Sequence, residues 1–301
     1  SRAQRNRTEF NRIHHLGWGV LSDMGGVYTL GISDGTTVSN NVIHDVYSYD
    51  RYGRGGWGLY NDEGSTHIVM ENNLVYNVKT GTYHQHYGRE NIIRNNILAF
   101  SMDGQVQRSR VEEHVSFFFE RNIVLWKDGP LAAAGKINDD LVRFASNLYW
   151  KGGEAIDFQG MTLEQRQTRG WDQGSIIADP GFTDAENGDF RLRPDSPAMK
   201  IGFEPFDYTQ AGLEGDAEWR NLPASYEYPE VEWAPEPPPP PPLVLDESFE
   251  FMAPGRPPQE GQANTEGRGD AVTVTTDQAS HGNKALLFQD AEGLAHAFNP
   301  H

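Results

Sequence analysis

Short apolar runs recur along the chain, and each begins just after an asparagine. Successive asparagines are 32, 23, 26 and 25 residues apart. The motifs NNVI, NNLV, NNIL, RNIV and SNLY carry them as Asn41, Asn73, Asn96, Asn122 and Asn147. Two stretches, GVYTLGISDGTTVSNN and GLYNDEGSTHIVMENN, align without a gap, so that Tyr28 and Tyr60 share one position. Repeats of this length with β-rich runs predict a parallel β-helix, whose coils stack on one another.

The competing architecture is a β-sandwich, whose turn signals recur every 8 to 12 residues without keeping a common register. The register held by the asparagines favours an all-β, right-handed parallel β-helix over residues 10 to 150. In such a fold the asparagines are expected to stack near one turn, where their amides bond backbone groups and one another.

Counting from the asparagines also predicts columns of side chains along the stack. One column contains Thr29, Asn61, His84 and Arg110, and another contains Gly31, Glu63, His86 and Glu112. Between them lie Leu30, Asp62, Gln85 and Val111. Residues two apart on a strand share a face, so the two polar columns are expected to form one outward wall.

Aromatic residues flank this wall and suggest a groove for a ligand. The predicted substrate-binding residues are Trp57, Tyr60, Tyr83, His84, Tyr87, Arg110 and Glu112. The alternative is that the wall consists of ordinary solvated residues whose charges neutralise one another. The number of groups able to move protons favours a functional groove.

The segments SDMGGVYTLG, GWGLYNDEGS and TYHQHYGRENIIRNN resemble secreted bacterial β-helix proteins that act on polysaccharides. They are most similar to glycoside hydrolases of the family 141 type, which include α-L-fucosidase and xylanase. The resemblance spans about residues 5 to 215 and implies catalysis by two aspartates, matched here by Asp23 and Asp62. Glu63, beside Asp62, leaves the second assignment open. Only about five coils are visible in the sequence, which indicates a partial chain.

Paired carboxylates suit this chemistry. Glycoside hydrolysis needs one acid to protonate the leaving oxygen and one carboxylate to attack or to activate water. Asp62 falls in the wall, and Asp23 lies five residues before Tyr28, in the turn into the preceding coil. The predicted catalytic set is therefore Asp23, Asp62, Glu63 and His86. No cofactor is expected for this reaction.

Two other functions remain open on the same residues. A polysaccharide lyase would abstract a proton beside a uronate, with Ca²⁺ as cofactor and Asp62, Glu63, His86 and Arg110 as candidate groups. A non-catalytic module would bind sugars through aromatic stacking alone. His84 and His86 are also a weak candidate for a metal-binding pair.

Charge narrows the range of partners. The chain of 301 residues has a formal net charge of −18, which opposes binding to nucleic acid, and no apolar run predicts membrane insertion. It contains no cysteine and begins with polar SRAQRNRTEF rather than a signal peptide, as expected of a processed segment. The family resemblance implies a secreted or periplasmic bacterial protein and a polysaccharide or oligosaccharide substrate.

Composition divides the chain into three parts. Residues 1–215 form the predicted catalytic β-helix, closed by a cap at 176–215 that contains an Asp-Pro turn and a Ser-Pro-Ala sequence. Residues 216–242 form an acidic linker ending in six prolines, which favour a stiff polyproline II conformation. Residues 243–301 resemble the start of a jelly-roll carbohydrate-binding module and are too few for a complete β-sandwich.

Overall fold

The apolar runs form short parallel strands that wind into coils. The computed structural model describes residues 3–18, 20–48, 55–132, 135–231, 249–258, 271–277, 279 and 282–289. It contains about six turns of a parallel β-solenoid. A right-handed parallel β-helix-like fold is thus confirmed.

The strands follow one another coil by coil. The first coil contains β1 (Arg7–Glu9), β2 (Arg12–Leu16) and β3 (Met24–Thr29). The second contains β4 (Ile32–Ser39), β5 (Val42–Val46) and β6 (Gly56–Asn61). The third contains β7 (Ser65–Glu71), β8 (Leu74–Val78) and β9 (Gly81–Gln85). The fourth contains β10 (Gly88–Arg89), β11 (Asn91–Arg94), β12 (Ile97–Ala99) and β13 (Val106–Arg108). The last coils contain β14 (Phe117–Glu120), β15 (Ile123–Leu125), β16 (Val142–Ala145), β17 (Leu148–Trp150) and β18 (Ile176–Ile177).

Equivalent strands of successive coils pair in parallel to form three sheets. Sheet 1 contains β1, β4, β7, β11, β14 and β16, with β10 also paired to β7. Sheet 2 runs from β2 through β5, β8, β12, β15 and β17 to β18. Sheet 3 contains β3, β6, β9 and β13. The residues predicted to form the functional wall lie on the strands of sheet 3, as Asn61 and His84 do, or in the turns that follow these strands.

The predicted asparagine stack is present at the turn between sheets 1 and 2. The backbone N and the Nδ2 of Asn73 both donate to Asn96 Oδ1, at 2.9 and 3.0 Å, and the same pattern joins Asn96 to Asn122. The ladder also includes Asn11 at its start and the hydroxyl of Ser175 at its end. The residue before each ladder asparagine has a left-handed φ of 53° to 57°. At this sharp turn the backbone groups lose their partners in the sheet, and the asparagine side-chain amide takes the place of those partners.

The interior between the three sheets is apolar. Ile43, Leu59, Val75, Ile93 and Leu98 are fully buried there. The last coils add an aromatic ladder of Phe117, Phe119 and Phe144. Burial of these stacked columns supplies the main stabilising term of the fold.

The end of the stack is covered by a segment that sequence inspection did not single out. Helix α1 (Leu163–Thr168) begins with a capping box formed by Thr162 and Gln165. Just before it, Phe158 joins the interior core and packs against Tyr149. This segment therefore closes the last coil.

The predicted closing segment at 176–215 extends beyond the last coil. After β18 the chain forms an antiparallel hairpin of β19 (Phe182–Asp184) and β20 (Asp189–Leu192), and it then runs back along sheet 2. Apolar residues of this part, including Phe190 and Phe203, pack on the outer face of sheet 2. Asn95 bonds Glu204 in both directions, and Gly212 N donates to Phe10 O in the first coil. We call residues 179–215 the return segment.

The rest of the chain is described only in part. The predicted linker at 216–242 contains α2 (Ala217–Asn221), while its prolines, Pro237 to Pro242, lie outside the described residues. The chain divides into two units, Ser1–Glu236 and Pro237–His301. In the second unit β21 (Ala271–Thr275) and β22 (Ala285–Gln289) pair antiparallel, and most of the predicted β-sandwich lies outside the described residues. No helix in the described part of the chain is both long and apolar enough to cross a membrane.

Candidate active site

Sheet 3 brings two tyrosines and a histidine into one outward column. The pairing of β3, β6 and β9 aligns Tyr28 with Tyr60 and Tyr60 with His84. The ring of Tyr60 meets that of Tyr28 edge-on, with centroids 4.7 Å apart, and is stacked on His84 at 4.6 Å. These separations are close to the strand spacing of about 4.8 Å. The pairing of the strands is therefore sufficient to place the rings next to one another.

The register differs from the one predicted for this wall. Asn61 pairs with Gln85 rather than with His84, and Gln85 pairs with Arg108 rather than with Val111. The asparagine count failed because the turn after β9 is one residue shorter than the turn after β6, whereas the turn after β13 is two residues longer. Asn61, Gln85 and Arg108 are fully buried rather than part of an outward wall.

Two carboxylates flank the tyrosine pair. Tyr28 donates its phenolic proton to Asp62 Oδ2, just beyond the end of β6. Tyr60 donates to Asp23 Oδ1 at 3.2 Å, one residue before β3. Asp23 has a left-handed φ of 54°. Because the phenols are adjacent, carboxyl groups from two successive coils lie beside one aromatic pair.

The phenols remain protonated in this setting. Burial, followed by the hydrogen bond to Asp62, raises the pKa of Tyr28 well above its usual value. Burial, followed by the charges of Asp23 and Asp62, raises the pKa of Tyr60 further. The phenolate form is disfavoured because both carboxylates repel it. At neutral pH both phenols therefore keep their protons and donate hydrogen bonds to Asp62 and Asp23.

Asp62 and Glu63 differ in accessibility and in contacts. Asp62 is 7% exposed and is held by Tyr28, whereas Asp23 and Glu63 are exposed. The carboxylate of Glu63 has no hydrogen bond or ion pair to any residue within the described ranges, although its backbone carbonyl accepts from the backbone N of Gly31. In the following turn the backbone N of Gly64 donates to Tyr87 O at 3.2 Å. The geometry therefore orients Asp62 and leaves the side chain of Glu63 unrestrained.

Ser109 lies between the two histidines of this wall. Its Oγ is 2.9 Å from His84 Nε2 and 2.8 Å from His86 Nδ1. Burial, with a smaller effect from nearby His86, lowers the pKa of His84 to about 3. His84 is thus a neutral group under Trp57 and Tyr60, with ring centroids 4.2 and 4.6 Å away. Sequence analysis did not identify Ser109, which has no motif around it.

The aromatic residues predicted to bind substrate are mostly buried. Tyr83, predicted to bind substrate beside the wall, is instead fully buried in the core, where its hydroxyl accepts from Asn61 and donates to Gln85. Trp57 is only 4% exposed and donates from Nε1 to Gln107 at 2.9 Å, so it supports the wall from below. Tyr28, 40% exposed, is the open aromatic surface at the carboxylates. Its alignment with Tyr60 was the signal available in the sequence.

The remaining predicted residues lie farther along the wall. The guanidinium of Arg110 stands over the ring of Tyr87, 4.4 Å from its centroid. Glu112 accepts from the backbone N of Gly88 at 3.1 Å and lies 3.3 Å from His114. These groups extend the polar surface beyond His86, although Glu112 is committed to holding a turn.

A cleft of about 450 Å³ lies elsewhere, between the return segment and sheet 2. Phe190, Met199 and Phe206 contribute to its lining, together with Asp207. Asp207 is bonded to Thr209, and no second carboxylate lines this cleft. It therefore lacks the paired acids of sheet 3, and the open wall remains the stronger candidate for chemistry.

Comparisons with protein-family models, with curated proteins and with solved structures found no match. The functional argument therefore depends on the geometry of the chain itself.

Proposed function

We propose that the chain is a glycoside hydrolase that acts on a plant or algal polysaccharide through Asp23 and Asp62. The observation that carries the proposal is the pair of carboxylates from neighbouring coils, each bonded by one phenol of the Tyr28–Tyr60 pair. Glycosidases need two carboxyl groups across one scissile bond. The wall is open, which suits an extended chain of sugars better than a small ligand.

The two aspartates are assigned different roles by their surroundings. Asp62 is largely buried and oriented by Tyr28, as suits a carboxylate that attacks the sugar or activates water. Asp23 is exposed and can reach the leaving oxygen as the general acid. In the hydrolysis, Asp23 gives its proton to the leaving oxygen as the glycosidic bond breaks, and water supplies the hydroxyl of the new reducing end.

The phenols favour hydrolysis over elimination. A lyase would need a base beside the uronate, and the raised pKa values of Tyr28 and Tyr60 keep both phenols protonated, so neither is available as that base. His84 is buried against Trp57 and bonded to Ser109, which leaves His86 as the accessible imidazole. A lyase would also place Ca²⁺ near Asp62 and Glu63, as oxygen ligands suit this cation.

The proposal extends to the substrate and to the second unit. A net charge of −18 favours neutral or weakly charged glycans over strongly anionic ones. The six prolines and the alternating segments after them support a spacer followed by a carbohydrate-binding module. Such an enzyme would work in the periplasm or outside a bacterial cell, where its polymeric substrate is found.

A polysaccharide screen with the full chain tests the proposal. Both reducing ends and unsaturated, ultraviolet-absorbing products are measured, because hydrolysis yields only the former. Asp23→Asn and Asp62→Asn should each lower turnover by about 10² to 10⁴-fold while substrate binding is retained. The matched control is Asp34→Asn, an exposed aspartate bonded to His67 on sheet 1.

Each contrary outcome has a distinct meaning. An unsaturated product identifies a lyase, and sugar binding without any turnover identifies a binding module. The role assignment is tested with aryl glycosides, whose good leaving groups need little protonation: Asp23→Asn should recover activity on them and Asp62→Asn should not. If both variants match Asp34→Asn on every active substrate, the catalytic groups are elsewhere.

A further inference from the structure

A second cluster of titratable side chains lies on sheet 2, in the first two coils. His15 on β2 and Asp45 on β5 occupy the same left-handed bend, with φ of 56° and 54°. His44 precedes Asp45. One possible ligand atom from each of these three residues lies within 4.8 Å of the other two.

The donor atoms surround a common point. Asp45 Oδ2 is 2.6 Å from His44 Nδ1 and 3.9 Å from His15 Nε2. Tetrahedral ligands at the usual zinc distances of about 2.0 to 2.1 Å are themselves about 3.4 Å apart. The observed separations bracket this value, so rotations of the three side chains suffice to bring them into coordination.

His44 is the most buried of the three residues. Its side chain is 8% exposed, and its Nε2 has no hydrogen-bond partner among the described residues. The ring also stacks on those of His14 and Tyr76, with centroids 4.8 Å away in each case. The atom that faces Asp45 is Nδ1, and a metal bond at Nδ1 would offset part of the cost of burying the ring.

Neighbouring side chains outside the cluster contact Asp45 and His15. Tyr47 donates to Asp45 Oδ1 at 2.8 Å, which leaves Oδ2 facing the histidines. His14 Nδ1 is 2.6 Å from His15 Nδ1, so one ring donates a hydrogen bond to the other. Tyr228 stacks on His15 with centroids 3.7 Å apart. Metal-binding histidines and carboxylates typically have outer partners of this kind.

We propose that His15, His44 and Asp45 bind a divalent transition-metal ion of the zinc class. Two imidazoles and one carboxylate are a donor set for Zn²⁺ rather than for Ca²⁺ or Mg²⁺, which prefer oxygen ligands. The ion would join the first coil to the second, with water in the remaining position. This site is independent of the sheet 3 carboxylates.

The test is a titration of the full chain after dialysis against a chelator. Zn²⁺ should bind with one-to-one stoichiometry and raise the melting temperature, whereas Ca²⁺ and Mg²⁺ should do neither. Co²⁺ should give the intense visible absorption of a tetrahedral N/O site. Asp45→Asn and His15→Gln should weaken Zn²⁺ binding by roughly 100-fold or more, and Tyr47→Phe by about 10-fold.

His67→Gln is the matched control, because His67 is an exposed histidine between Asp34 and Glu90 on sheet 1. It should leave the affinity unchanged. Circular dichroism verifies that each variant is folded. If a variant fails to fold, the Co²⁺ spectrum of the wild-type chain still tests the site. Equal Zn²⁺ affinity in all variants, or a wild-type chain that binds neither ion at millimolar concentration, would overturn the proposal.

Discussion

The asparagine ladder allows a quantitative prediction for Asn96→Ala. Asn96 Oδ1 accepts from the backbone N and Nδ2 of Asn73, and its Nδ2 donates to Met70 O and Asn122 Oδ1. All four bonds are 2.9 to 3.0 Å long and lie in a fully buried turn. The substitution removes all of them and leaves the backbone N of Asn73 without an acceptor.

The expected loss is large for a single residue. Each intramolecular hydrogen bond contributes about 1 kcal/mol net, and an orphaned buried donor costs about 1 to 3 kcal/mol. Four such bonds account for about 4 kcal/mol, and the orphaned backbone N adds to this, so the free energy of unfolding should fall by at least about 4 kcal/mol. With an m value of about 3 kcal/mol/M in urea, the midpoint drops by more than about 1 M.

Urea unfolding followed by far-ultraviolet circular dichroism measures this change. The control is Asn187→Ala, since the Asn187 side chain is exposed and bonds only Asp184 among the described residues, so its midpoint should stay close to wild type. Asn96→Asp keeps the accepting oxygen and loses the two donated bonds, so it should also be destabilised at neutral pH. If Asn96→Ala unfolds at the same urea concentration as Asn187→Ala, the ladder is not a stabilising element.

Two further substitutions test other parts of the fold. The pKa of His84 lies near 3 in the folded chain and near 6.5 when unfolded, so between these values the unfolded state binds more protons and stability falls as the pH is lowered. His84→Gln should reduce that slope by up to about 1.4 kcal/mol per pH unit in melts between pH 4 and 6, and an unchanged slope would contradict the assignment of a neutral buried ring. Arg121, with φ 53°, precedes a ladder asparagine, and Asn95 occupies the equivalent position in the previous coil. Because Asn tolerates this conformation better, Arg121→Asn should raise the urea midpoint slightly, by the equivalent of about 0.5 kcal/mol, and a lower midpoint would count against backbone strain at this turn.

The fold was more predictable than the site for a physical reason. The ladder position occupied by Asn73 needs an asparagine in nearly every coil. A residue type that recurs once per coil can be recognised in the sequence. The wall depends on the lengths of turns such as the one after β9, and a change of one residue there exchanges inward and outward side chains. That is why Asn61 was aligned with His84, whereas the structure aligns Tyr60 with His84 and Asn61 with Gln85.

The sheet 2 cluster was invisible for a related reason. His15 and Asp45 are 30 positions apart and belong to no recognised spacing, and they meet only because two left-handed bends are superposed. Asp23 and Asp62, by contrast, were found through a family resemblance and a shared chemistry. Their roles remain a prediction for the kinetic variants to test.

The return segment limits how this protein can change in length. Coil-by-coil proteins can usually gain or lose a repeat, because each repeat contacts only its neighbours. Here the polypeptide that leaves the last coil is anchored again at Phe10 in the first, so an added coil would lengthen the span by about 4.8 Å without lengthening the segment that crosses it. A duplication in the solenoid must therefore be matched by an insertion in the return segment, between residues 179 and 215. The number of coils can evolve only together with the length of that segment.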